Sequence, residues 1–150
     1  MRRIVALALL GAALLAPALA AQPQPLDLRG THGERLTDAD LARGVVVVVV
    51  WASWSPRGRN IAERVTAMER SWAGKARVVT VNFQEDPPAV QSFLAAQRWQ
   101  APTFLDPEGA FAKRYAVATL PGLVVFRDGT PVYKGKLPDD PDAVIAGALR

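Results

Sequence analysis

Six consecutive valines, Val45 to Val50, constrain this chain more than any other feature. Two heavy atoms on each Cβ restrict χ1 and favour extended backbone. A strand with one wet face would alternate apolar and polar residues. This run does not alternate, so it is expected to be buried on both faces, as a central parallel strand is.

Strand and helix patterns alternate around it. Leu26 to Arg29 reads as a short strand and Thr31-His32-Gly33 as a turn. Thr37-Asp38-Ala39-Asp40 offers an N-cap and first-turn acids for a helix ending near Gly44. Ser55 can cap the next helix with Pro56 at its first position. Ile61, Val65, Met68 and Trp72 then recur on one helical face, ended by Gly74. Arg77 to Phe83 is a second long strand, and Asp86-Pro87-Pro88 opens another helix. Thr103 to Leu105 is a short strand and Phe111 to Tyr115 a short helix. Gly122 to Phe126 and Pro131 to Lys134 flank Asp128-Gly129, a hairpin signal. Asp140 to Leu149 is a terminal helix. This order predicts an α/β fold with a central mixed sheet and helices on both faces.

Arg2 and Arg3, the apolar stretch Ile4 to Leu15, Pro17 and Ala18-Leu19-Ala20 form a pattern expected of an export signal cut after Ala20. Residues 1–20 are therefore read as a signal peptide, 21–25 as a flexible lead-in and 26–150 as one domain. The expected location is the periplasm. An uncleaved signal would instead anchor the chain in the inner membrane, the only membrane contact expected. Formal net charge is +4, and two of the 18 basic residues lie in the signal. The remaining mild excess is unclustered and gives no nucleic-acid footprint.

There is no cysteine and one histidine, His32. Thiol catalysis, cysteine-ligated metal and a multi-histidine zinc site within one chain are excluded. No cofactor is expected. His32 reads as a solvated turn residue. Asp106, Glu108, Asp139, Asp140 and Asp142 read as turn and helix-start acids without the oxygen-ligand spacing of a calcium loop.

Trp51-Ala52-Ser53-Trp54-Ser55-Pro56-Arg57-Gly58-Arg59 resembles the Trp-Ala-Thr-Trp-Cys-Pro-Pro-Cys-Arg segment of the TlpA/ResA-like thioredoxin family. Thr103 to Gly109 and Leu120-Pro121-Gly122, with the strand and Asp-Gly turn that follow, are similar to other marks of that family. The resemblance covers roughly Leu26 to Leu149. It implies a thioredoxin-like fold and a cis peptide bond before Pro121. The backbone before that proline could pair with an extended peptide. It also implies where the chemistry is missing. Ser55 and Gly58 stand at the two cysteine positions. Val49 and Ile61 stand where relatives keep a buried acid, and Glu63 replaces a further proline.

Three readings of this region compete. In the first, Trp54, Ser55, Pro56, Arg57, Gly58, Arg59, Leu120 and Pro121 are a non-catalytic surface that binds an exported protein or extended peptide. That role would lie in a redox or cytochrome-maturation pathway. Trp51 is expected in the core; Trp54 is either a contact residue or an exposed relic. In the second, the helix N-terminus, Ser55 and the two arginines bind a small anion. The third makes Ser55 a nucleophile, but no spacing brings His32 to it as a base. The activity carried by the family as a whole, thiol-disulfide oxidoreductase, is the alternative that Ser55 and Gly58 contradict.

Overall fold

The computed structural model describes residues 24–150. The expected signal segment and the first part of the lead-in lie outside them. Seven strands form one sheet in the order β2-β1-β5-β4-β3-β6-β7. They are β1 (Asp27–Gly30), β2 (Arg35–Thr37), β3 (Val45–Trp51), β4 (Arg77–Phe83), β5 (Thr103–Asp106), β6 (Gly122–Arg127) and β7 (Thr130–Lys136). The helices are α1 (Asp38–Leu41), α2 (Ile61–Trp72), α3 (Pro87–Ala96), α4 (Ala110–Arg114) and α5 (Asp142–Ala148). β3 runs parallel to β4 and antiparallel to β6, so the valine strand is central in a mixed sheet.

The valines serve two cores at once. Val46, Val48 and Val50 pack with Leu36, Leu41, Phe104, Phe111 and Phe126 on one face. Val47, Val49 and Trp51 pack with Ile61, Val65, Met68, Val90, Leu123 and Ile145 on the other. Each fully buried valine contributes about 1.5–3 kcal/mol of transfer free energy. Helices α2, α3 and α5 cover the second face; α1 and α4 lie against the first.

Three local expectations need correction. The chain forms a strand, β2, where none was expected. It pairs antiparallel with β1 around the Thr31-His32-Gly33 turn, through Leu28 opposite Leu36. Its signal is one buried leucine in three residues, too short for a visible period. Next, α1 ends at Leu41 rather than near Gly44. The Leu41 and Gly44 carbonyls accept from Gly129 N–H (3.0 Å) and Asp128 N–H (2.8 Å), so the β6–β7 turn takes over the helix end. Finally, α5 starts at Asp142, two residues later than expected; the Asp140 carboxylate accepts from Asp142 N–H at 3.1 Å. The β6–β7 turn itself is as the Asp-Gly pair implies, with positive φ at Asp128 (49°) and Gly129 (84°).

Two acids hold helix starts. Asp106 is buried, and its carboxylate accepts from Phe111 N–H (3.2 Å) and Ala112 N–H (3.1 Å) at α4. Asp40 completes a capping box with Thr37. Hydrogen bonding from the Thr37 hydroxyl, opposed by partial burial and aided by Thr37 N–H and the Arg77 and Arg43 guanidiniums, holds the Asp40 carboxyl below its ordinary value of 3.8. A lowered folded value means that the deprotonated acid stabilises the fold. That contribution is complete above pH 3.8 and is lost as pH falls through the lowered folded value. Asp40→Asn is therefore expected to flatten the acid limb of a stability-pH profile measured by urea unfolding. A profile unchanged in shape would remove Asp40 as its source.

Candidate functional site

The site lies where β3 ends and β6 begins. After Trp51 the chain turns sharply: Ser55 N–H donates to the Ala52 carbonyl at 3.2 Å, and Gly58 N–H to the Ser55 carbonyl at 3.0 Å. The second bond belongs to a short 3-10 turn, Pro56–Gly58. The regular helix α2 starts only at Ile61. The expectation that Ser55 caps α2 is therefore corrected. Ser-Pro starts a 3-10 turn, and the Ser55 side chain makes no capping bond. Its hydroxyl instead donates to the Leu120 carbonyl at 3.2 Å, across to the loop before β6.

That loop contains a cis peptide bond between Leu120 and Pro121, as the resemblance implies. Gly122 lets it close. A Cβ built there would lie 2.5 Å from Val117 Cγ1 and 3.0 Å from the Thr119 carbonyl oxygen. A side chain at 122 would push the 117–119 segment away from the strand.

Glu85, from the β4–α3 connection, fixes the other side of the turn. Its carboxylate accepts from Ser53 N–H at 2.8 Å, from the Ser53 hydroxyl and from Asn82 Nδ2 at 2.6 Å. Between the two loops lies a cleft of about 440 Å³, lined by Trp54, Ser55, Pro56, Arg57, Phe83 and the Val117–Leu120 segment. Its walls are mostly hydrocarbon. Trp54 stands at it with 60% of its surface exposed.

The eight residues singled out from sequence separate here. Trp54, Ser55, Pro56, Arg57 and Leu120 line the cleft; Gly58, Arg59 and Pro121 do not. Gly58 and Pro121 are buried. Ser55 is itself only 7% exposed. Phe83, Val117, Ala118 and Thr119 were not singled out as contact residues. Phe83 ends a strand whose pattern reads as core, and the parallel pairing of β3 with β4 carries it to this edge.

The chemistry is as depleted as the sequence implies. Val49 and Ile61, at the acid positions, are buried in one apolar cluster beneath the turn. Trp51 is fully buried, with its ring stacked on Trp99 (4.8 Å between centroids) and tilted against Phe93 (5.1 Å). Ser55 has no base in contact. The His32 Nδ1 lies 3.2 Å from the Thr31 hydroxyl, and His32 lines a different groove, with Arg98 and Trp99. The anion reading also loses its hydroxyl donor to Leu120. Among the described residues, no three histidine or acidic side chains cluster as a metal site. No helix there is long and apolar enough to cross a membrane.

A central mixed sheet, helices on both faces, and a cis-proline loop beside the turn after the central strand define a thioredoxin-like protein whose dithiol positions carry no thiol. The family model described as Redoxin matches residues 14–149, and the chain belongs to that family. Curated relatives include a thioredoxin of Staphylococcus aureus, 28% identical over 104 residues, which cover 67% of this chain and 79% of that protein. Among solved structures, a Chlorobium tepidum protein described as a DsbE-type thiol:disulfide interchange protein is 26% identical. It superposes with a TM-score of 0.73 over 85% of this chain and 95% of its own. The exposed lipoprotein thioredoxin Etrx1 of Streptococcus pneumoniae shares the fold at 17% identity, with a TM-score of 0.72 over 83% of this chain and 98% of its own.

Proposed function

We propose that this chain is an exported, redox-inactive thioredoxin-like protein. It holds an extended segment of another exported protein in the cleft between Trp54 and the Val117–Leu120 loop. One observation carries the reading: the turn and the cis-proline loop are both in place around an apolar cleft, while Ser55 and Gly58 hold neither thiol. A thiolate is the nucleophile in disulfide exchange, and serine cannot replace it. What the site keeps is an exposed tryptophan at the rim of the cleft, a side chain enriched in protein contacts.

Export is supported by the basic, apolar and small-residue pattern of residues 2–20 and by the exposed lipoprotein among the structural neighbours. The periplasm is the compartment proposed. Likeness to a protein described for thiol:disulfide interchange supports a role in a redox pathway, and the proposal extends to cytochrome maturation through the family resemblance alone.

Two measurements test this. In an insulin-reduction assay with dithiothreitol, the purified protein should give no turnover above the blank; turnover would overturn the redox-inactive half. In a titration with an extended, unfolded polypeptide, Trp54→Ala should weaken binding by about 2 kcal/mol, roughly thirtyfold. Equal binding by the variant would remove the cleft as the binding surface.

A further inference from the structure

Two arginines without an acidic partner among the described residues stand at the rim of the cleft. Arg57 lines it and Arg59 follows two residues on, both exposed. Arg35, Arg43, Arg77 and Arg114 each have an acidic partner; Arg57 and Arg59 have none among the described residues. No acid lines the cleft. The two arginines also precede α2, whose N-terminal end carries partial positive charge that adds to their field, opposed by Glu63 in its first turn. Lys136 stands opposite Gly122 in the sheet register, beside the cis-proline loop. Glu85 is held against the turn by neutral donors on Ser53 and Asn82 and does not line the cleft.

Ser55 donates to the Leu120 carbonyl, leaving that oxygen one free lone pair.

We infer that the cleft selects an extended segment with an apolar side chain seated against Trp54, Phe83, Val117 and Leu120, and an aspartate or glutamate beside it facing Arg57 and Arg59. This rests on the binding role proposed above. The apolar wall supplies affinity. The arginines supply selectivity and faster encounter, as complementary charges at an interface do.

The test uses three series of short synthetic peptides with one apolar centre, flanked by acidic residues, by serines or by lysines. Each is titrated calorimetrically into the purified protein at low and at high salt. Acid-flanked peptides should bind roughly tenfold more tightly than serine-flanked ones at low salt, with the gap closing as salt screens it. Arg57→Glu with Arg59→Glu should move the preference to the lysine series. Acid- and serine-flanked peptides binding equally, or the wild-type protein preferring lysine, would overturn this inference and leave the binding role standing. No binding of any series would overturn both.

Discussion

Replacing Ser55 and Gly58 together by cysteine should produce a disulfide without rearranging the backbone. A Cβ built on Gly58 lies 3.9 Å from Ser55 Cβ, and its other close neighbour is the Ala52 carbonyl oxygen at 3.8 Å. Disulfides need Cβ atoms about 3.5–4.5 Å apart, so the turn is already at bonding separation and has room. The oxidised S55C/G58C variant should be more stable than its reduced form by about 2 kcal/mol, the loop-closure value for so short a loop. In its reduced dithiol form, regenerated by dithiothreitol after each turnover, the variant should also reduce insulin where the wild-type chain does not. Arg57 and Arg59 would favour the thiolate at position 55. Val49 and Ile61 offer no acid beneath it, so turnover should improve further when Val49→Asp is added. Oxidation leaving both thiols free by mass spectrometry would show that the turn does not keep this geometry in solution.

The second large effect separates the two tryptophans of the turn. Trp51 is fully buried, with Trp99 and Phe93 against its ring. Trp51→Ala should cost about 3–5 kcal/mol of stability, through lost transfer energy and the cavity left behind. Trp54, 60% exposed at the cleft, should cost within about 0.5 kcal/mol when replaced by alanine. Its loss should appear in binding instead. Urea unfolding of the two variants reads the contrast directly. A Trp54→Ala variant destabilised as much as Trp51→Ala would make Trp54 a packing residue and remove its role as a contact.

Much of the fold was legible because its strongest signals are local. Six valines can be satisfied only between two apolar layers, and they are. The Ile61, Val65, Met68 face and the Asp128-Gly129 turn were equally explicit. Sequence pattern and structure part where one local signal serves two structures. Ser55-Pro56 is a valid start for either an α-helix or a 3-10 turn, and the Gly58 N–H bond to the Ser55 carbonyl selects the latter. Strand β2 carries only Leu36 as an inward residue, so its pairing with β1 decides what its composition cannot.

The site was half legible. Trp54, Ser55, Pro56, Arg57 and Leu120 follow from the motif, and they line the cleft. Phe83 and Val117 reach it through topology: one by parallel pairing of β4 with β3, the other by a loop that closes over Gly122. The Ser55–Leu120 and Ser53–Glu85 bonds span 65 and 32 residues, and no local pattern announces either.

The proposed contact surface lies at the turn that carries the two thiol-less positions and at the loop facing it. Chemical-shift mapping of the labelled protein, titrated with an acid-flanked apolar peptide, tests it most directly. Shifts should be confined to the Trp54 indole, the Arg57 amide, Phe83 and the amides of Val117 to Leu120. Shifts clustered elsewhere, such as the groove beside His32 and Trp99, or no shifts at saturating peptide, would contradict it.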